Sequence, residues 1–162
     1  MGWVTLSLRK MVLTQRVSQL ENRLLHLSQE QQTLANSSAY TERAIGLEKQ
    51  DAYSSLMNNY SGNLTNISDF VSTGDASDPA TLIQYQVQLQ QSQLDYMYNK
   101  MVIDSVFTQK EQSLQDQVNN KQTYLELEQE QVETQLEAAR AELEQLDEAC
   151  SQDIQSSTIS LV

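Results

Sequence analysis

The chain has 162 residues, of which 22 are acidic and 10 are basic, so its formal net charge is -12 at pH 7. A chain with this charge repels phosphate groups, which excludes nucleic acid as an expected partner. The 4 glycines and 1 proline are too few for the turns of a sheet fold, and the composition therefore predicts an all-α protein built from long helices.

The first predicted helix covers residues 1–58. Its apolar residues recur in the alternating short steps of a coiled-coil seam. Short polar side chains interrupt this seam near 35–39 and compete for backbone hydrogen bonds, so a bend is predicted there. The pattern leaves open whether the helix breaks near Asn36 or only bends. The seam residues expected to pair within the chain are Leu13, Val17, Leu20, Leu24 and Leu27.

Residues 59–78 are predicted to connect the two halves of the chain. Asn, Ser, Thr, Gly and Asp dominate this stretch, and Gly62 is expected to end the first helix. Four apolar residues between 64 and 71 keep a helical spacing, which predicts a short helix inside the connection. Residues 72–78 are then expected to form a loop.

A second long helix is predicted over 79–155. Asp78 can cap the free backbone N–H groups of its first turn, and Pro79 fits the first helical position. No glycine or proline follows Pro79, so nothing in the sequence ends this helix early. The seam residues expected to face the first helix are Val132, Leu136, Leu143, Leu146 and Cys150.

The start of the second helix has an unusual pattern. Between Ile83 and Gln90, apolar residues alternate with glutamines, which alone is the period of a strand. The capping signal before it and the helical pattern after it favour a helix. That helix has two apolar faces, and a lone hairpin buries only one of them. The candidate contacts with other subunits are Tyr85, Val87, Leu94, Met97 and Met101.

Charge is distributed unevenly along the chain. Residues 1–27 hold four basic side chains and one acidic, whereas residues 126–153 hold ten acidic side chains and one basic. Two long helices joined by a short connection return antiparallel, which brings these complementary segments together. The sequence therefore predicts an elongated antiparallel helical hairpin, folded as a single domain over 1–162.

Residues that could support catalysis or bind a metal are scarce. His26 is the only histidine and Cys150 the only cysteine, and no phosphate-binding glycine loop is present. Cys150 lies in the periodic apolar row and reads as a small buried hydrophobe. We therefore expect no catalytic residue, no cofactor and no metal site, and no enzymatic activity.

The N-terminal residues do not form a secretory signal. The apolar stretch 3–8 precedes Arg9 and Lys10, whereas a signal peptide places its positive charges first. No apolar run approaches the length of a membrane span. If the protein is exported, we expect a route without a cleaved signal.

The junction at residues 78–89 resembles the loop-to-helix junction of type III secretion needle proteins, bacterial helical hairpins that polymerise into a hollow extracellular filament. The matching residues are Asp78, Pro79, Leu82, Tyr85, Gln86 and Leu89. The paired terminal helices also look like those of the longer flagellin-like axial subunits. The resemblance implies a role for Pro79, Leu82, Tyr85, Gln86 and Leu89 in the junction and its packing, and an extracellular or cell-surface location.

The leading functional expectation is a structural subunit that assembles head-to-tail into a helical filament or tube. Its partner would be further copies of itself, with no nucleic acid and no membrane contact. One alternative is a soluble, cytoplasmic coiled-coil adaptor or secretion chaperone that acts as a dimer. Another is a membrane-surface protein anchored through the apolar side chains of residues 3–8. A polymer grows with concentration, whereas a closed dimer does not.

Overall fold

The computed structural model describes residues 3–74 and 78–159, which form two α-helices. Helix α1 runs Trp3–Thr73 and helix α2 runs Pro79–Ile159. The two helices pack against each other, and the described residues contain no strand. These findings confirm the prediction of an all-α helical hairpin.

Helix α1 is longer than the sequence predicted. The prediction that Gly62 ends it was wrong, because residues 59–73 continue the same helix. Packing outweighs the polar composition, because Ile67 is buried and Leu64 and Val71 are half-buried. The hydroxyls of Thr65, Ser72 and Thr73 donate to main-chain oxygens one turn back, at 2.9–3.0 Å, and so find their hydrogen-bond acceptors inside the helix. The described part of the connection is Gly74 and Asp78, and residues 75–77 lie outside the described residues.

The predicted weak point near Asn36 does not break α1. Residues 35–39 are helical, and half-buried Ser38 and Ile45 continue the seam past it. A helix-interior Ser or Asn costs only a few tenths of a kcal/mol relative to alanine, so packing on both sides keeps the segment helical.

Helix α2 begins at Pro79. The backbone N–H of Ala80 donates to Asp78 Oδ1 at 3.3 Å, and the Thr81 hydroxyl donates to Asp78 Oδ2 at 3.2 Å. Asp78 thus satisfies a donor that the first turn leaves free, while Pro79 loses no bond it would have made. The alternating segment 83–90 is helical.

Contacts divide the chain into two compact units. Unit 1 comprises Met1–Asn36 with Val118–Val162, and unit 2 comprises Ser37–Gln117. Each unit contains a stretch of both helices, and within each unit the stretches run antiparallel. The predicted single domain therefore contains two packing units.

The core of unit 1 is a leucine seam. Leu27, Leu125 and Val132 form one buried cluster, and Leu13, Ala139 and Leu146 form another. Half-buried apolar residues pack against these clusters: Leu6, Val17, Leu20, Leu24, Leu34 and Leu143. Burial of large apolar side chains is worth about 1.5–3 kcal/mol each, so the seam supplies most of the stability of this unit.

Ion pairs flank the seam of unit 1. Arg9 pairs with Glu142, Lys10 with Asp147 and Arg23 with Glu128, while Glu21 on α1 pairs with Arg140 at 2.6 Å. These side chains are partly exposed, where such pairs contribute little stability. They favour the antiparallel register, in which basic α1 lies against acidic α2.

The core of unit 2 is smaller and more aromatic. Leu56, Ile67 and Phe107 are buried, and the rings of Tyr60 and Tyr96 lie 4.7 Å apart at 37°. Lys49 pairs with Glu111 at 3.7 Å and Lys110 with Glu48 at 2.5 Å. Aromatic pairs of this geometry add about 0.5–1.5 kcal/mol beyond their buried area.

Candidate functional site

The residues predicted to pair within the chain all lie in unit 1. Leu13, Leu27, Val132, Leu136 and Leu146 are buried. Val17, Leu20, Leu24 and Leu143 are half-buried against them, and Cys150 is a half-buried free thiol. These side chains pack inside unit 1 and offer little surface to a partner, so a functional surface lies elsewhere on the molecule.

A regular row of exposed apolar residues in unit 2 runs along α2. Its residues keep between 55% and 66% of their surface accessible. Four of them were predicted as subunit contacts. Ile83 was not, although it lies one helical turn before Val87. We call this feature the α2 stripe, and it comprises Ile83, Val87, Leu94, Met97 and Met101.

The α2 stripe has the geometry of a helix-packing seam. Together with exposed Gln90, its residues follow one another in steps of 4, 3, 4, 3 and 4. This spacing places them on one side of the helix, about 27 Å long at 1.5 Å per residue. The other side of the helix carries buried Ser92 and half-buried Tyr96. The stripe is therefore a second seam that the hairpin leaves open.

The junction residues divide between the two sides of α2. Tyr85 and Leu89 are half-buried, while Leu82 and Gln86 are exposed. Tyr85, predicted as a subunit contact, thus offers less free surface than the α2 stripe. Leu82 lies exposed one position before Ile83 and extends the apolar surface at the start of the helix.

Unit 1 has an apolar surface of its own near the start of α1. Val4 and Leu8 are one helical turn apart, the adjacent Met11 and Val12 lie one turn further on, and all four are 56–65% exposed. We call this group the α1 patch. Sequence reasoning grouped Val4 and Leu8 with Leu6, but Leu6 packs into the core, so the helical step from Leu8 to Met11 was the informative signal.

A row of acids lies exposed on α2 in unit 1. Glu130, Glu137 and Glu144 are one heptad apart and exposed, whereas Glu128 and Glu142 face the basic residues of α1. Like charges so placed repel a second acidic chain, and they attract a basic one.

Two open grooves line the helices. One of about 580 Å³ adjoins Met11 and is lined by Lys10 and small polar side chains of α1. Another, of about 250 Å³, lies in unit 2 between Asn63 and Asn66 on α1 and Gln88 and Asp95 on α2. The Ser92 hydroxyl on its wall is buried without a hydrogen-bond partner among the described residues. Neither groove brings a nucleophile against a base.

Hydrogen bonds shift the pKa of three groups. The Asp104 carboxylate accepts from the Tyr53 hydroxyl and raises the pKa of that phenol. Asp147 raises the pKa of Lys10, and Glu128 raises the pKa of Arg23, in each case by stabilising the cation. All three shifts keep the group in its usual protonation state at pH 7, which is typical of structural contacts.

Within residues 3–74 and 78–159, no three His, Cys, Asp or Glu side chains gather in a way that could hold a metal ion. Neither helix, over its described residues, has an apolar stretch long enough to cross a membrane. Comparisons with models of protein families, with curated proteins and with solved structures found no match to this chain.

Proposed function

We propose that this chain is a non-enzymatic structural subunit that self-assembles into a helical filament or tube at the cell surface or outside the cell. The observation that carries the proposal is the α2 stripe, a regular apolar seam on a helix whose other side already packs within the chain. Exposed apolar surface of this size and regularity is typical of contact sites between proteins.

A single α2 stripe supports only a weak contact. Complete burial of a large apolar side chain is worth about 1.5–3 kcal/mol, and the five residues are already partly covered. Burying their exposed surface in two copies then contributes about 9–18 kcal/mol, a gain of the same order as the association cost of about 4–15 kcal/mol. Assembly through this surface is therefore concentration-dependent.

A second apolar surface favours an open assembly. One self-complementary surface closes a dimer, whereas two separate surfaces let each copy contact two neighbours and continue the chain of contacts. The α1 patch in unit 1 and the α2 stripe in unit 2 are two such surfaces. Their presence on one chain supports a polymer over a closed pair.

Electron microscopy of the concentrated protein tests the proposal. We expect filaments from the unaltered chain and none from the double variant Leu94→Gln/Met97→Gln, which makes the stripe polar without adding charge or a poor helix former. The control is Tyr124→Gln/Leu127→Gln, two exposed apolar residues of α2 in unit 1. This control also replaces two exposed apolar side chains by glutamine, but it leaves the α2 stripe and the α1 patch intact.

Filaments that persist unchanged in the stripe variant would remove the α2 stripe as the assembly surface. Monodisperse particles from the unaltered chain at every protein and salt concentration would contradict the filament proposal itself. Circular dichroism of both variants shows whether the helices survive the substitutions.

The heptad-spaced acids favour a second candidate, an acidic coiled-coil adaptor or secretion chaperone. Glu130, Glu137 and Glu144 would attract a basic partner protein to unit 1. This candidate predicts a dimer or a 1:1 complex that weakens as salt rises. Neutralising the row with Glu→Gln substitutions would abolish partner binding and leave self-association intact.

A further inference from the structure

We infer that the α2 stripe of one chain packs against the same stripe of a second copy, with the two helices parallel and in register. Gln90 of one copy then faces Gln90 of the other. The inference rests on the proposed function and adds the occupant of the stripe and its orientation.

Charge indicates that the occupant is a second copy. The chain carries a net charge of -12, so two copies repel each other over most of their surface. Residues 79–94 contain no Asp, Glu, Lys or Arg, and the rest of the stripe segment adds only Asp95 and Lys100. Four exposed glutamines border the stripe: Gln84, Gln86, Gln91 and Gln93. A second copy can therefore approach this surface without like-charge repulsion.

The spacing indicates a helix as the contacting element. Steps of 4, 3, 4, 3 and 4 are those of a two-stranded coiled coil, in which each side chain fits between four side chains of the facing helix. The α2 stripe of a second copy has the same length and the same spacing. The second copy therefore offers a facing seam residue for each seam residue from Ile83 to Met101.

Gln90 selects the orientation. It is the one polar residue in the seam, and a polar seam residue sets register because its hydrogen bonds need a polar partner. Parallel in-register packing places Gln90 opposite Gln90, whereas the centred antiparallel packing places it opposite Leu94. Unit 1 contains a comparable glutamine pair within the chain. There Gln31 Nε2 donates to Gln129 Oε1 across the seam at 3.0 Å.

Disulfide cross-linking distinguishes the two orientations. In a Cys150→Ser background, the full chain carries a single cysteine as I83C or as M101C, positions at the two ends of the stripe. Parallel packing brings each cysteine close to the same cysteine of the second chain, within the Cα–Cα distance of about 4.4–6.8 Å that a disulfide needs. The control is Y40C, an exposed position on α1 of unit 2 outside the stripe.

We expect I83C and M101C each to form covalent dimers well above the level of Y40C. Cross-links that form only when I83C and M101C are mixed would show antiparallel packing and overturn the inference. Cross-linking at the control level for both would overturn the contact itself. If filaments form but these cross-links do not, the stripe pairing is contradicted and the proposed function is not. If the cross-linked dimers form but never assemble into filaments, the proposed function is contradicted and the stripe pairing is not.

The substitution Gln90→Glu tests the polar layer independently. It places two carboxylates opposite each other in the parallel pair, and we expect the dimer to dissociate about tenfold more readily at pH 7. Gln112→Glu adds the same charge at an exposed position of α2 off the stripe and serves as the control. Equal dissociation constants for the two variants, measured by sedimentation equilibrium, would contradict the Gln90 pair.

Discussion

Leu27 has no accessible surface and lies in the buried cluster with Leu125 and Val132. Sequence periodicity identified it as a seam residue, because its neighbours along the seam recur at helical steps. Periodicity does not show which seam residue is buried most deeply, since that depends on the facing side chains.

We expect Leu27→Ala to lower the free energy of unfolding by about 2–5 kcal/mol, because it removes buried apolar surface and leaves a cavity. Leu25→Ala, at an exposed position two residues away, should change it by less than about 0.5 kcal/mol. Chemical denaturation of both variants measures the difference. Equal losses would show that Leu27 is not held as the structure places it.

The Tyr53 hydroxyl donates to Asp104, and this bond raises the pKa of the phenol above its ordinary value of 10.0. The folded state thus holds the proton more tightly than the unfolded state. The stabilisation is fully present below pH 10 and is lost as the pH rises through the folded pKa. This contact was invisible in the sequence, because the two residues are far apart along the chain.

We expect Tyr53→Phe to remove a late component, one that titrates above the ordinary tyrosine pKa of 10.0, from the alkaline absorbance titration. The same substitution should make the free energy of unfolding less dependent on pH above 10. Tyr40→Phe, which removes an exposed tyrosine, is the control. An unchanged late component in Tyr53→Phe would contradict the hydrogen bond.

At the scale of the helices, the sequence predicted the fold class and the start of α2 but placed the end of α1 too early. The start was predictable because a cap and a proline act locally. The end was not, because residues 59–73 have a weak intrinsic helix preference and are held by the packing of buried Ile67 and half-buried Leu64 and Val71. Tertiary packing outweighed local propensity.

Gly62 lies inside α1, where glycine is a poor helix former. An added Cβ at Gly62 would meet nothing within 4 Å, and no described glycine has a positive φ. We expect Gly62→Ala to raise the free energy of unfolding by about 0.5–1 kcal/mol. At Gly74 a Cβ would lie 3.2 Å from the Phe70 carbonyl oxygen, so Gly74→Ala should give no such gain. A loss of stability in Gly62→Ala would contradict an uninterrupted helix there.

The candidate site was only partly predictable from the same helices. Two apolar faces on one helix indicated a second contact, and four of the five stripe residues followed from that. The α1 patch was missed, because one helical face was read as a possible membrane anchor together with Leu6, a core residue in the structure.

At the scale of the whole molecule, the net charge opposes self-association. Salt screens this repulsion, and the Debye length falls from about 10 Å at 0.1 M to about 3 Å at 1 M. We therefore expect assembly through the neutral α2 stripe to strengthen as salt rises, as seen by light scattering. A complex of the acidic row with a basic partner should weaken over the same range, so the direction of the salt effect separates the two candidate functions.

Sedimentation velocity over a wide concentration series measures self-association without any labelling or cross-linking. For the unaltered chain we expect a weight-average sedimentation coefficient that keeps rising with concentration. For Leu94→Gln/Met97→Gln we expect a smaller coefficient that reaches a plateau. A coefficient that stays constant for the unaltered chain, at the value of a monomer or of a closed dimer, would contradict self-assembly into a filament.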